Sequence, residues 1–141
     1  MSDPVVSVKL SVFSSEKQLV ASLQFKNNGK NVAFLDLINA CIKGELKNNV
    51  FEVVPVKAGG TREPALGYRG PRLKRRQPIL PDFLRLEPGG VAEANVRLDN
   101  GYAFPTGRGT YAVTYSAVHQ YPDNDDYWEI ASNQVTVSFP Q

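Results

Sequence analysis

The sequence predicts an all-β domain, an immunoglobulin-like antiparallel β-sandwich of about seven to nine strands. Three observations carry that prediction: apolar residues recur at every second position in several short segments, turn residues separate those segments, and no stretch shows the 3.6-residue apolar period of a helix. Short strands without helices bury their apolar faces by laying sheet on sheet. A closed barrel is the alternative architecture.

Val6, Val8, Leu10 and Val12 alternate with polar residues, and Leu19, Ala21, Leu23 and Phe25 do so again after the break SSEK. Both read as half-buried strands. Asn27, Asn28 and Gly29 form a turn signal, because Asn and Gly accept the positive φ of tight connections, and an opening hairpin of three strands is expected. Residues 32–42 are apolar without clean alternation, which suits either a short buried strand or an irregular crossing between sheets. Strand character returns over residues 50–56, where Pro55 fits an edge or a strand end because it cannot donate to a ladder.

From Thr61 to Asp82 the four prolines Pro64, Pro71, Pro78 and Pro81, with Gly67 and Gly70, exclude a helix and most continuous pairing. The expectation is a long basic loop at about 57–82, either an ordered excursion or a mobile loop. Phe83, Leu84 and Leu86 begin the next strand, Pro88 and Gly89 make a turn, and Ala92, Ala94, Val96 and Leu98 continue one face. Tyr102 and Phe104 are expected packing anchors. Tyr111, Val113 and Tyr115 share one face of the following strand, and the Tyr111 hydroxyl is expected to brace a corner of the sandwich. The last strand covers residues 134–139, after an acidic, aromatic loop at 121–128.

The chain of 141 residues is read as one domain, 1–141. No apolar run approaches the roughly 20 residues of a spanning helix, so membrane insertion is not expected. The opening MSDPVVSVKL lacks the basic and apolar regions of a secretory signal, which points to a cytoplasmic protein, or to a secreted one if a leader has been trimmed. Cys41 is the only cysteine, so an intrachain disulfide is impossible, and its apolar neighbours suggest a buried thiol. The net charge of +2 conceals a basic cluster, Arg69, Arg72, Lys74, Arg75, Arg76 and Arg85, and an acidic one, Asp123, Asp125, Asp126 and Glu129.

Catalysis is not expected. A zincin site needs two imidazoles one helical turn apart, and His119 is the only histidine. It is expected at the surface or at a strand edge. Nothing marks an orienting third group for a Cys41–His119 pair. Asp123, Asp125 and Asp126 are calcium-type ligands, but their spacing fits no EF-hand, and solvated loop charge is the simpler reading. No metal and no cofactor are expected. Tyr121, Tyr127 and Trp128, mixed with Asp123, Asp125 and Asp126, would make a secondary contact surface, or the aromatic residues would stack on a sugar, unless Trp128 belongs to the core. The segment RGPRLKRR would attract phosphates, but it lacks interleaved aromatic residues and a groove-reading helix, so nucleic acid is not the expected partner.

The ordered pattern Tyr68, Gly70-Pro71, Lys74-Arg75, Pro78, Asp82-Phe83, Leu86, Pro88-Gly89, then Val96, Leu98, Tyr102 and Gly109-x-Tyr111-x-Val113-x-Tyr115 covers the middle third of the chain. It resembles the amino-terminal β-domain, or pro-region, of deuterolysin-type zinc metalloendopeptidases. That domain precedes the catalytic part and has inhibitory and folding roles. The present 141 residues carry the resemblance to the β-domain without a protease, and depart from the pattern in the acidic segment before the last strand. The resemblance implies a noncatalytic module that binds a protein, a deuterolysin-class metalloprotease being the implied partner and inhibition in trans the implied action. The residues expected to meet it are Tyr68, Arg69, Arg72, Lys74, Arg75 and Arg76. Two other readings stay open: a structural or self-assembly module pairing through a strand edge as a homo-oligomer, and a carbohydrate-binding module.

Overall fold

The computed structural model describes residues 4–73, 79–123 and 126–141. Among the described residues there are nine strands: β1 (Val6–Ser14), β2 (Leu19–Asn27), β3 (Ala33–Asp36), β4 (Phe51–Pro55), β5 (Phe83–Leu86), β6 (Val91–Arg97), β7 (Gly109–Gln120), β8 (Tyr127–Ala131) and β9 (Val135–Phe139). A 3₁₀ turn, Leu80–Asp82, precedes β5. No helix among the described residues is long and apolar enough to cross a membrane.

Every pairing is antiparallel. One sheet has the order β1-β2-β6. The other is built on the long strand β7, with β4 along one side and β8 and β9 end to end along the other. First, second and sixth strands facing fourth, seventh and the last two is the connectivity of an immunoglobulin-like sandwich. The period of two explains the core: Leu19, Ala21, Leu23 and Phe25 of β2 face Tyr111, Val113, Tyr115 and Ala117 of β7, and all are buried. Phe25 meets Tyr115 edge-on, with ring centroids 5.8 Å apart.

The two sheets meet along β1 and β9. The Asn133 carboxamide accepts the Leu10 N–H at 2.8 Å and donates to the Leu10 carbonyl at 3.1 Å, replacing a neighbouring strand with one side chain. The Ser14 hydroxyl donates to the Ser138 carbonyl at 2.6 Å, and the Gln141 N–H reaches the Ser15 carbonyl at 3.1 Å.

The expected three-stranded opening is not found. β1 and β2 form a hairpin, but β3 leaves β2 and pairs with β5 in a separate ribbon. The buried Asn27 side chain explains the departure. Its amide donates to the carbonyls of Asn31 and Leu86, at 2.8 and 2.9 Å, and its oxygen accepts the Gly29 N–H. The turn is thereby tied to β5 instead of folding back on β2.

Candidate functional site: a basic strap beside β4

The outer border of β4 is where the long loop returns to the sheet. Val50 and Val56 bond to β7, through the Ser116 N–H and the Thr110 carbonyl, so Phe51, Val53 and Pro55 turn their backbone groups outward. Pro55 has no N–H to leave unpaired there, which is why a proline is tolerated. The loop then covers the border. Glu63 N–H donates to the Pro55 carbonyl at 3.0 Å and Leu66 N–H to the Val53 carbonyl at 2.8 Å.

Phe51 is served by a side chain. The Tyr102 hydroxyl accepts the Phe51 N–H at 3.0 Å and lies 2.8 Å from Asn49 Oδ1 and 3.0 Å from the Phe51 carbonyl, either of which takes its single proton. Burial pushes the Tyr102 phenol well above its ordinary range, so it stays neutral. The expected brace, Tyr111, packs edge-on against Phe104 at 5.0 Å, and its hydroxyl has no hydrogen bond among the described residues. The bracing tyrosine is Tyr102, which carries the connection between the two sheets rather than opening β7.

Residues 67–73 form a strap fixed at both ends. Ala103 N–H bonds the Gly67 carbonyl at 2.9 Å, Arg69 N–H the Gly101 carbonyl at 2.7 Å, and Leu73 N–H the Lys47 carbonyl at 3.0 Å. The Tyr68 ring lies 5.5 Å from that of Tyr102, and its hydroxyl donates to the Pro71 carbonyl across Gly70. A Cβ at Gly70 would come within 2.5 Å of that hydroxyl, so the tight return requires glycine unless Tyr68 shifts. The loop is therefore an ordered excursion as far as Leu73.

Of the residues expected to meet a partner, Tyr68 is half-buried and structural, while Arg69 and Arg72 are exposed. The Arg72 guanidinium sits 5.1 Å over the Tyr68 ring, which holds the cation in place without neutralising it. Neither arginine has an ion-pair partner among the described residues. Lys74, Arg75 and Arg76 lie outside the described residues.

The second expected surface is divided. Tyr127 and Trp128 belong to β8 rather than to a loop, and alternation sends Trp128 and Ile130 inward. Trp128 is only 3% exposed and stacks on His119, with centroids 5.0 Å apart, so neither a partner nor a sugar can reach it. Tyr127 points outward. Tyr121 and Asp123 line a groove of about 580 Å³ beside β3, with Val5, Lys30, Val32, Phe34 and Leu80. Asp126 is exposed, and Asp125 lies outside the described residues. Among the described residues no three His, Cys, Asp or Glu side chains are placed to hold a metal.

His119 is fully buried, not at the surface as its sequence context suggested. Its Nδ1 accepts the Asp36 N–H at 2.9 Å, so that nitrogen bears no proton. Its Nε2 lies 3.3 Å from the Tyr115 hydroxyl, which donates to the Asn39 carbonyl at 2.6 Å. The Asp36 carboxylate accepts the N–H groups of Ile38 and Asn39, at 2.9 and 3.3 Å, and closes the turn after β3. Burial pushes the Cys41 thiol up to about 12, which keeps it protonated and unreactive near neutral pH. The period of two did hold a signal for this network, because Tyr111, Val113, Tyr115, Ala117 and His119 are successive inward positions of one strand.

No protein-family model matches this chain, and no curated protein matches it.

Proposed function

We propose that this domain is a noncatalytic binding module that docks on an acidic protein surface through the strap at 67–73, in the manner of a protease pro-region acting in trans. The observation that carries the reading is the pair of exposed, unneutralised cations, Arg69 and Arg72, on a backbone already fixed to the scaffold. Binding through preordered groups costs little conformational entropy, and cations facing an acidic partner accelerate encounter. The pro-region pattern supplies the class of partner.

The test is to titrate the domain into a deuterolysin-class metalloprotease and follow peptide cleavage. Saturable inhibition, weakened in the double variant Arg69→Ser/Arg72→Ser, is the expected result. Cleavage rates that do not change at large excess would remove the inhibitory reading.

Homotypic pairing through the β4 or β6 border has less support. The β4 border is occupied by Glu63, Leu66 and Tyr102. The β6 border carries the charged residues Glu93 and Arg97, and Gly44 packs near the Asn95 carbonyl, where a Cβ would lie 3.3 Å away.

A further inference from the structure

The border of β3 is open where that of β4 is closed. The Leu37 N–H reaches the Asp82 carbonyl at 3.0 Å, which fixes the register so that Ala33, Leu35 and Leu37 bond toward β5. Val32, Phe34 and Asp36 therefore turn their backbone groups to the opposite side. Asp36 is served within the fold, its N–H by His119 and its carbonyl by the Ala40 N–H at 2.9 Å. Val32 and Phe34 have no hydrogen bond on that border among the described residues.

These two residues open on the groove of about 580 Å³, whose apolar walls include Val5, Leu80, Tyr121 and Pro122 and whose lining carries one cation, Lys30, and one carboxylate, Asp123. Leu80 is 61% exposed and Val5 58%, an unusual cost for a free surface beside an unpaired strand border. We propose that the groove receives an extended peptide segment of a partner protein, added to β3 as a further strand, with apolar residues at alternate positions and an acidic residue against Lys30. Two donor–acceptor pairs two residues apart match the repeat of an extended chain. Main-chain bonds then give affinity, while alternate side chains entering the groove give specificity. The inference is independent of the strap, since none of its residues lines this groove.

The experiment selects binders to the full chain from a displayed library of random octapeptides, then measures the synthetic form of the winners against wild type and Phe34→Pro. The Phe34 N–H is not used by the fold, so proline there is compatible with a border strand. Expected are peptides with alternating apolar residues, slowed exchange of the Phe34 amide on binding, and affinity at least about tenfold lower in the variant, which loses one hydrogen bond and the Phe34 ring from the groove wall, whereas N-methylated peptides isolate the main-chain bond. Should Phe34→Pro not fold, peptides N-methylated at positions facing β3 are expected to lose about tenfold, and those methylated at intervening positions about twofold or less. Failure to enrich any peptide, equal binding by both proteins and both methylated forms, or self-association through this border that occupies the groove would overturn the proposal.

Discussion

The borders of β4 and β3 have the same chemistry and opposite fates. Each presents outward-turned N–H and C=O groups at alternate residues. Along β4 these meet Tyr102, Leu66 and Glu63, whereas along β3 only Asp36 is served and Val32 and Phe34 face a groove. An unpaired sheet border is a hazard that folded proteins close with loops, prolines or charges. Closing one border while leaving a short, apolar-walled stretch of another open separates what the scaffold needs from what is available for contact.

Removing one hydrogen-bonding group at each border should give unequal effects. Tyr102→Phe takes the acceptor from the buried Phe51 N–H and should cost roughly 2–3 kcal/mol in denaturant unfolding. A loss below about 0.5 kcal/mol would show that the β4 border is not held by this hydroxyl. Tyr115→Phe removes the donor to the Asn39 carbonyl and the contact with His119, and about 1–2 kcal/mol is expected by the same measurement. Phe34→Pro should cost about 1 kcal/mol, from the half-buried ring it removes, because the N–H it deletes makes no bond among the described residues of the free protein.

Acid supplies a milder probe of the scaffold, at the end of the β2–β6 pair. Burial opposes ionisation of Asp99, but the Arg97 guanidinium and the Leu19 N–H outweigh it and hold the carboxyl below its ordinary range. With the folded value below the unfolded value of about 4, the contribution is complete above that unfolded value and is lost as pH falls through the folded one. Asp99→Asn should flatten that part of the pH–stability curve. Smallest of all should be Arg69→Ser/Arg72→Ser, within about 0.5 kcal/mol by thermal unfolding, as expected of exposed charges.

The strands were legible because burial on one face of a sheet imposes alternation that survives in the sequence, as in Leu19 to Phe25 and Tyr111 to Tyr115. Pro55 announced its border for a local reason, the missing N–H. The polar contacts were not legible, because they join residues far apart in the chain. Nothing adjacent to Tyr102 indicates that its hydroxyl serves Phe51, and nothing adjacent to His119 indicates the Asp36 amide. Tyr111 was the wrong tyrosine for the same reason. β3 escaped its expected hairpin because the Asn27 amide selects Leu86, a choice no local pattern encodes. The candidate site was legible as composition, in that the basic cluster was evident. Its geometry was not, since Tyr68 turns inward and Arg72 lies over it. Eight of the eighteen positions that carry the pro-region resemblance, Phe83, Leu86, Val96, Leu98, Tyr102, Tyr111, Val113 and Tyr115, are buried, so that share of the resemblance describes scaffold and not contact surface.

The central claim is that fixed, exposed cations on the strap steer an acidic protein partner. Its most direct test is the association rate of wild type and Arg69→Ser/Arg72→Ser with a deuterolysin-class metalloprotease over a range of salt. Steering predicts that the wild-type rate falls steeply with ionic strength and that the variant associates about tenfold more slowly at low salt, with the two converging at high salt. Identical rates for both proteins at every salt concentration would contradict it.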